Sequence, residues 1–180
     1  MSRLLMSISL CFLLSIGMAN AQTIRDIRSH FHQAVLDPEK SPDFYEFIQK
    51  TDLTTATVKA YKAVSEAMMA RAFWNPFSKL SQVKKYDLMM SEAVALDSNN
   101  IEIRFLRLAI EYNLPRFLGY SVHLEDDTNM IIENLSKINV LQIDSSFGRY
   151  ILYFLRNTGL CDSSQIELME AAFEESVSKN

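Results

Sequence analysis

A stripe of charged side chains on an otherwise apolar segment is the first feature of this sequence that could do chemistry. Arg104, Arg107 and Glu111 stand at positions i, i+3 and i+7, a spacing that places them on one face of a helix. Guanidinium groups bind carboxylates through two parallel hydrogen bonds. The stripe therefore predicts a contact site for a small anionic group or for a segment of a partner protein, with Arg104 and Arg107 as binding residues.

Internal ion pairing is the alternative interpretation of the same stripe. Glu111 follows Arg107 by four residues, which allows a pair along one helix. The acidic run Glu125, Asp126 and Asp127 could fold back toward the arginines and complete a network. The sequence leaves both interpretations open.

Two aromatic turns are the second candidate site. Residues 116–123 form a predicted loop, and loops are usually polar because they meet water. This loop instead contains Phe117, Leu118, Tyr120 and Val122. Either it covers the core as a lid or it lines a groove, with Tyr120 and His123 as binding residues. His123 is also placed to cap the helix that follows.

The other aromatic turn surrounds Asn75 and Pro76, which are flanked by Trp74 and Phe77. Aromatic side chains bury large areas, so we expect Trp74 and Phe77 to anchor this corner in the core. If the corner instead meets a ligand, Trp74 is a candidate binding residue.

Catalytic and metal-binding patterns are absent from the sequence. His30 and His32 are two residues apart, which puts them on different faces of a helix and prevents them from chelating one ion together. There is no serine–histidine–aspartate order, cysteine–histidine pairing or glycine-rich phosphate loop. Cys161 is predicted to be a buried, unreactive thiol. We therefore predict a protein that is not an enzyme and holds neither cofactor nor metal.

The charge balance bears on the partner. The formal net charge is −4, and it becomes −5 if Arg3 is removed with a leader. Binding to nucleic acid depends on clustered lysine and arginine, so a mildly acidic chain with mixed signs argues against it. The expected partner is another protein or peptide, and the sequence does not indicate the oligomeric state.

The N-terminus has the three parts of a secretory signal peptide. Arg3 supplies a positive start, residues 4–16 are apolar apart from three serines, and Ala19 and Ala21 are the small residues of a cleavage site. This run of thirteen residues is too short to span a bilayer, which takes about 20 apolar residues. We predict cleavage after Ala21, leaving a single domain of residues 22–180 in the periplasm or outside the cell, without a membrane span.

Apolar residues recur every three or four positions after the leader, and only 4 glycines and 4 prolines interrupt the chain. This pattern predicts an all-α fold, a compact bundle of antiparallel helix pairs with about eight helices. The expected helix-start residues are Ser41, Thr54 or Thr55, and Ser164 with Glu167. The fourth helix is expected from about Lys79, and the fifth, from Ile101, is apolar enough to be central.

Residues 93–100, Ala-Val-Ala-Leu-Asp-Ser-Asn-Asn, resemble the end of a tetratricopeptide repeat. The resemblance covers about one repeat and departs from the pattern at Asn75 and Pro76, which come too early for its internal turn. It implies stacked helix pairs, here as a compact tetratricopeptide-like bundle.

Three stretches, 74–79, 101–108 and 117–120, also resemble small exported proteins of Bacteroidota-type bacteria. That resemblance implies export and a helical fold and brings no mechanism with it. The expected function is a binding module for a protein segment or small ligand. A self-assembling structural subunit of the envelope is the alternative, and an enzyme is the third.

Overall fold

The computed structural model describes residues 23–135 and 145–178, and the helices predicted for these ranges are all present. No residue of these ranges lies in a β-strand, so the predicted all-α fold is confirmed. The predicted leader and its cleavage residues, Ala19 and Ala21, lie outside the described residues.

Eight α-helices follow one another in the described ranges. They are α1 (23–36), α2 (Ser41–Gln49), α3 (Ala56–Met69), α4 (Pro76–Leu96), α5 (Ile101–Asn113), α6 (Leu124–Leu135), α7 (Ser145–Thr158) and α8 (Ser163–Ser178). Short 3-10 turns lie at Pro38–Lys40, Ala70–Ala72 and Arg116–Leu118. None of the described helices is both long and apolar enough to cross a bilayer.

Side-chain caps explain where most of these helices begin. The Thr55 hydroxyl accepts a hydrogen bond from the Val58 N–H at 3.3 Å, as the sequence suggested. The Asn75 side chain accepts from the Phe77 N–H at 2.8 Å, and Pro76 occupies the first turn. Because of this cap, α4 begins three residues before the predicted Lys79.

Two predicted helix starts are wrong. Ser41 is already inside α2, where its side chain is buried, and the cap position is Lys40. At α8 the capping box is formed by Asp162 and Gln165 instead of Ser164 and Glu167. The Asp162 carboxylate accepts from the Gln165 N–H at 2.8 Å, and the Gln165 side chain accepts from the Asp162 N–H at 2.9 Å.

The hydrophobic core forms one cluster to which every described helix contributes. Helix α3 packs against α2, α4 and α5, and α5 packs in turn against α6. The buried Phe105 ring of α5 also meets the rings of Phe147, Tyr150 and Phe154 on α7. The prediction of neighbours on several sides of α5 is therefore confirmed.

Ion pairs fix the direction of the helices. Lys59 pairs with Glu92 and Glu66 with Lys85, so α3 and α4 are antiparallel. Helices α5 and α6 are also antiparallel. Arg104, near the start of α5, contacts Asp127 in α6, whereas Glu111, near the end of α5, contacts His123, which precedes α6. The predicted antiparallel pairing of consecutive helices is therefore present in α3 with α4 and in α5 with α6, and the tetratricopeptide repeat type stays a prediction.

This topology decides which turns lie together. Arg71, just after α3, and Asn113, at the end of α5, line the same shallow cleft. At the opposite end of the bundle, Asn100 contacts Thr57 at the start of α3. The turn before α4 and the turn after α5 therefore lie at one end of the bundle.

Candidate functional site

The arginine stripe of α5 meets a buried carboxylate on α6. Arg107 donates from Nε and Nη2 to the two oxygens of Asp127, each at 2.7 Å, and Arg104 donates from Nη1 at 2.9 Å. Asp127 is completely buried. Burial lowers the pKa of Arg107, but the hydrogen bonds and charge of Asp127 outweigh it and raise the pKa above its ordinary value, so the guanidinium stays charged.

The internal network expected from the sequence therefore exists, with Asp127 as the shared acceptor. Glu111 takes part in a different contact at the other end of the stripe. Its carboxylate lies 2.7 Å from Nδ1 of His123 and accepts the His123 backbone N–H at 2.9 Å. The Ser121 hydroxyl donates to the Glu111 carbonyl at 2.7 Å. These bonds fasten the loop before α6 to α5.

A carboxylate–histidine pair can in principle move a proton, so its surroundings matter. Among the described residues, no hydrogen-bonding side chain contacts the second ring nitrogen of His123, and Ser121 is engaged with backbone. His123 stands just before α6, and its carbonyl accepts the Asp127 N–H at 2.9 Å. The pair thus has a clear part in positioning the loop, and the absence of enzyme activity stays a prediction.

The corner around Asn75 is not anchored in the core. Trp74 is 99% exposed and Phe77 is 83% exposed, so the expectation that they are core residues is wrong. Phe77 lies about 120° around α4 from Val83, which faces the core. Because Asn75 and Pro76 start the helix at once, the turn is too short to fold Trp74 back onto the bundle.

The loop after α5 is likewise not a lid over the core. Phe117 is 87% exposed and Val122 is also exposed, whereas Leu118 and Tyr120 are half-buried. The Leu118 N–H donates to the Pro115 carbonyl at 3.0 Å, which closes a tight turn. Gly119 follows with a positive φ of 74°, a conformation that favours glycine. This turn holds Phe117 away from the bundle.

We call residues 71–79 and 114–120 the aromatic tip. Its two segments contain three of the most exposed large rings in the described chain, those of Trp74, Phe77 and Phe117. Helix topology places both segments at one end of the bundle. Aromatic composition alone could not reveal this site, because the same residues more often fill cores.

The predicted binding residues do not form one site. Nε of Arg104 donates to the Ser98 carbonyl at 2.8 Å, which places Arg104 near the end of the bundle opposite Trp74. Arg107 is buried beside Asp127. A binding role for either arginine stays a prediction, and each already has an internal partner.

A cleft between α1 and α7 was not foreseen. It has a volume of about 280 Å³ and is lined by Arg25, Arg28 and His32 above the rings of Phe147 and Tyr150. Arg28 also binds Glu102 through two hydrogen bonds of 2.8 and 2.7 Å. The sequence signal was available, since the three basic residues follow the same i, i+3, i+7 spacing as the stripe on α5.

The two neighbouring histidines face different surroundings, as their spacing predicted. The His30 ring stacks on Phe47, whereas the His32 ring meets the edge of Tyr150. Cys161 is half-buried rather than fully buried, and burial raises the pKa of its thiol above the ordinary value. A raised thiol pKa disfavours the reactive thiolate.

Comparisons of the chain with protein-family models, with curated proteins and with solved structures each gave no significant match.

Proposed function

We propose that the protein is an exported, non-catalytic helical domain that works by binding, and that the aromatic tip is its contact surface. The observation that carries the proposal is the exposure of Trp74, Phe77 and Phe117 at one end of the bundle. Single exposed apolar residues are common on protein surfaces, whereas clustered ones mark interaction sites. Tryptophan is also among the residues that dominate binding energy at interfaces.

The ion pairs support the tip over the arginine stripe as the contact surface. A ligand that engaged Arg107 would have to compete with the buried carboxylate of Asp127. Breaking such a pair costs about 3–5 kcal/mol, which a weak ligand cannot supply. The rings of the tip have no competing contact of this kind, because they are already in water.

Export is supported by the leader-like residues 1–21, and a non-catalytic role by the contacts of His123. Its carboxylate partner Glu111 is bound to the loop backbone as well as to the ring. That arrangement suits a structural tie between α5 and the loop. A partner with an apolar surface would complete the tip by covering rings that the fold leaves exposed.

The test is retention of cell-envelope material by immobilised mature chain, residues 22–180. We expect retention by the wild type and its loss in the double variant Trp74→Ala and Phe77→Ala. The matched control is Tyr153→Ala with Leu168→Ala, which removes two exposed apolar side chains outside the tip. Equal retention by both double variants would refute a contact surface at the tip.

Analytical ultracentrifugation at two concentrations separates this proposal from self-assembly. A binding domain for another partner is expected to sediment as one species at both concentrations. Concentration-dependent association that Trp74→Ala abolishes would instead make the tip an interface between copies of the chain.

A further inference from the structure

We infer that the partner of the aromatic tip is a lipid surface that bears anionic headgroups. The inference rests on the proposed function and names the chemistry of its partner. It depends on three properties of the tip: cations without side-chain partners, rings that protrude, and turns in which several peptide N–H groups are internally hydrogen-bonded or replaced by proline.

The cations of the tip are the first property. Arg71, Lys79 and Arg116 are exposed, and none of them has a hydrogen bond or ion pair to another side chain in the described structure. Most other described lysines and arginines do pair with a carboxylate. Of the five exposed cations in the described ranges that have no side-chain partner, these three lie beside the exposed rings, and Arg25 and Lys84 lie elsewhere.

The sequence of the tip keeps carboxylates away from these cations. Residues 71–79 and 114–120 contain no aspartate or glutamate. Other exposed apolar residues stand next to acids: Leu88 follows Asp87, Leu96 precedes Asp97, and Leu168 follows Glu167. Such neighbours would be repelled by an anionic surface, whereas the tip combines three exposed rings with three cations and no acid.

Acidic residues also lie in other turns at the same end of the bundle. Asp37 caps the turn between α1 and α2, and Asp162 caps α8 after α7. The exposed Glu125 and Asp126 stand at the start of α6, directly after the second tip segment and its loop. The inference therefore requires an orientation in which the two tip segments meet the anionic surface and these carboxylates stay in water.

Protrusion is the second property, and it favours a lipid surface over a protein groove. A ring that is 99% exposed, like that of Trp74, touches almost nothing of its own protein. Tryptophan prefers the boundary between headgroups and acyl chains, where its ring is in an apolar environment and its N–H meets water. Arginine and lysine beside it reach the headgroup phosphates with their long side chains.

The backbone of the tip is the third property. Peptide groups without partners are costly to bring into a membrane interface. Pro76 and Pro115 have no N–H, and the N–H groups of Phe77, Leu118 and Gly119 are bonded within their own turns. These groups would lose no hydrogen bonds to water on insertion.

Tryptophan fluorescence tests the inference directly, since Trp74 is the only tryptophan of the chain. The mature chain is titrated with vesicles of phosphatidylcholine, with and without phosphatidylglycerol. We expect a blue shift of the emission with the phosphatidylglycerol vesicles, weakened by salt because screening reduces surface attraction. No shift with either vesicle, or the same shift with both, would overturn the inference.

Two pairs of substitutions locate the cations that matter. Arg71→Gln with Arg116→Gln is expected to weaken vesicle binding roughly 25-fold, about fivefold per cation. Arg25→Gln with Lys84→Gln removes the same charge from exposed cations outside the tip, and we expect less than a threefold change by the same screening argument. Equal weakening by both pairs would contradict a located headgroup contact.

The apolar part of the contact is tested with Phe77→Ala and Phe117→Ala, which keep the fluorescent ring. Each is expected to weaken binding roughly tenfold, as removal of a buried aromatic ring would. If vesicles do not bind but envelope protein is retained through Trp74 and Phe77, the lipid inference fails and the proposed function stands. If the chain binds neither vesicles nor envelope protein, the lipid inference and the proposed function both fail.

Discussion

Replacement of Asp127 by asparagine is the perturbation that most severely tests the packing of α5 against α6. The carboxylate is completely buried and accepts three hydrogen bonds from Arg104 and Arg107. Asparagine keeps the shape and removes the charge, so the buried guanidinium of Arg107 loses its counterion. Removing one partner of a buried ion pair costs about 3–5 kcal/mol.

For a domain of this size, that loss corresponds to a fall in melting temperature of roughly 6–20 °C. The assay is urea and thermal unfolding of the mature chain, followed by far-ultraviolet circular dichroism. Asp126→Asn is the matched control, since Asp126 lies in the same first turn of α6 and is exposed. It should lose only its interaction with the helix dipole, about 0.3–1 kcal/mol.

A decrease of less than about 1 kcal/mol in the free energy of unfolding for Asp127→Asn would refute the reasoning, because removing one partner of a buried ion pair destabilises a protein by more than that. A second variant, Asp127→Leu with Arg107→Met, checks the cause of the loss. It replaces the buried charges by apolar groups of similar size and should recover at least half of the stability. A further loss would show that the network does more than compensate for its own burial.

Two further substitutions and the mass of the exported product test other parts of the account. The pKa values of Tyr61 and Tyr86 are raised well above 10, chiefly by burial, so their contribution to stability is complete below pH 10 and is lost at higher pH, where the tyrosines of the unfolded chain release protons. In unfolding curves recorded at alkaline pH, Tyr61→Phe should reduce the slope of the unfolding free energy against pH by up to one proton, and an unchanged slope would contradict this. A methyl group at Gly148 would overlap the buried ring of Phe173, so Gly148→Ala should cost about 1–3 kcal/mol in urea unfolding. The double variant Gly148→Ala with Phe173→Leu should be less destabilised than Gly148→Ala alone. Intact mass of the exported product should match a chain that begins at Gln22, and a product retaining residues 1–21 would contradict the predicted cleavage.

The sequence predicted the helices and their buried faces, because these depend on the spacing of apolar residues along each helix. Ile27 and Phe31, four residues apart, lie on the buried face of α1, and Ile166, Met169 and Phe173 lie on that of α8, so the apolar spacing alone predicts both faces. Helix ends were less certain wherever two neighbouring residues could cap. At α8 both Asp162 and Ser164 carry a side-chain oxygen, and only the backbone geometry decides which one is used.

Contacts between helices were harder to predict. The acid that meets Arg107 could have been Glu111 on the same helix, but the packing of α6 places Asp127 closer. A one-dimensional pattern does not contain the crossing of two helices, so it offers several acids without choosing one. The exposure of Trp74 and Phe117 was not predicted for the same reason. These rings are exposed because no other described element packs over their turns, and a sequence pattern does not contain that information.

Acrylamide quenching of the single tryptophan tests the central claim most directly, since Trp74 is the leading residue of the proposed contact surface. In the monomeric mature chain, we predict emission and quenching close to those of a free tryptophan derivative in water. A blue-shifted emission that is protected from acrylamide would contradict the claim, because Trp74 would then be covered by its own protein.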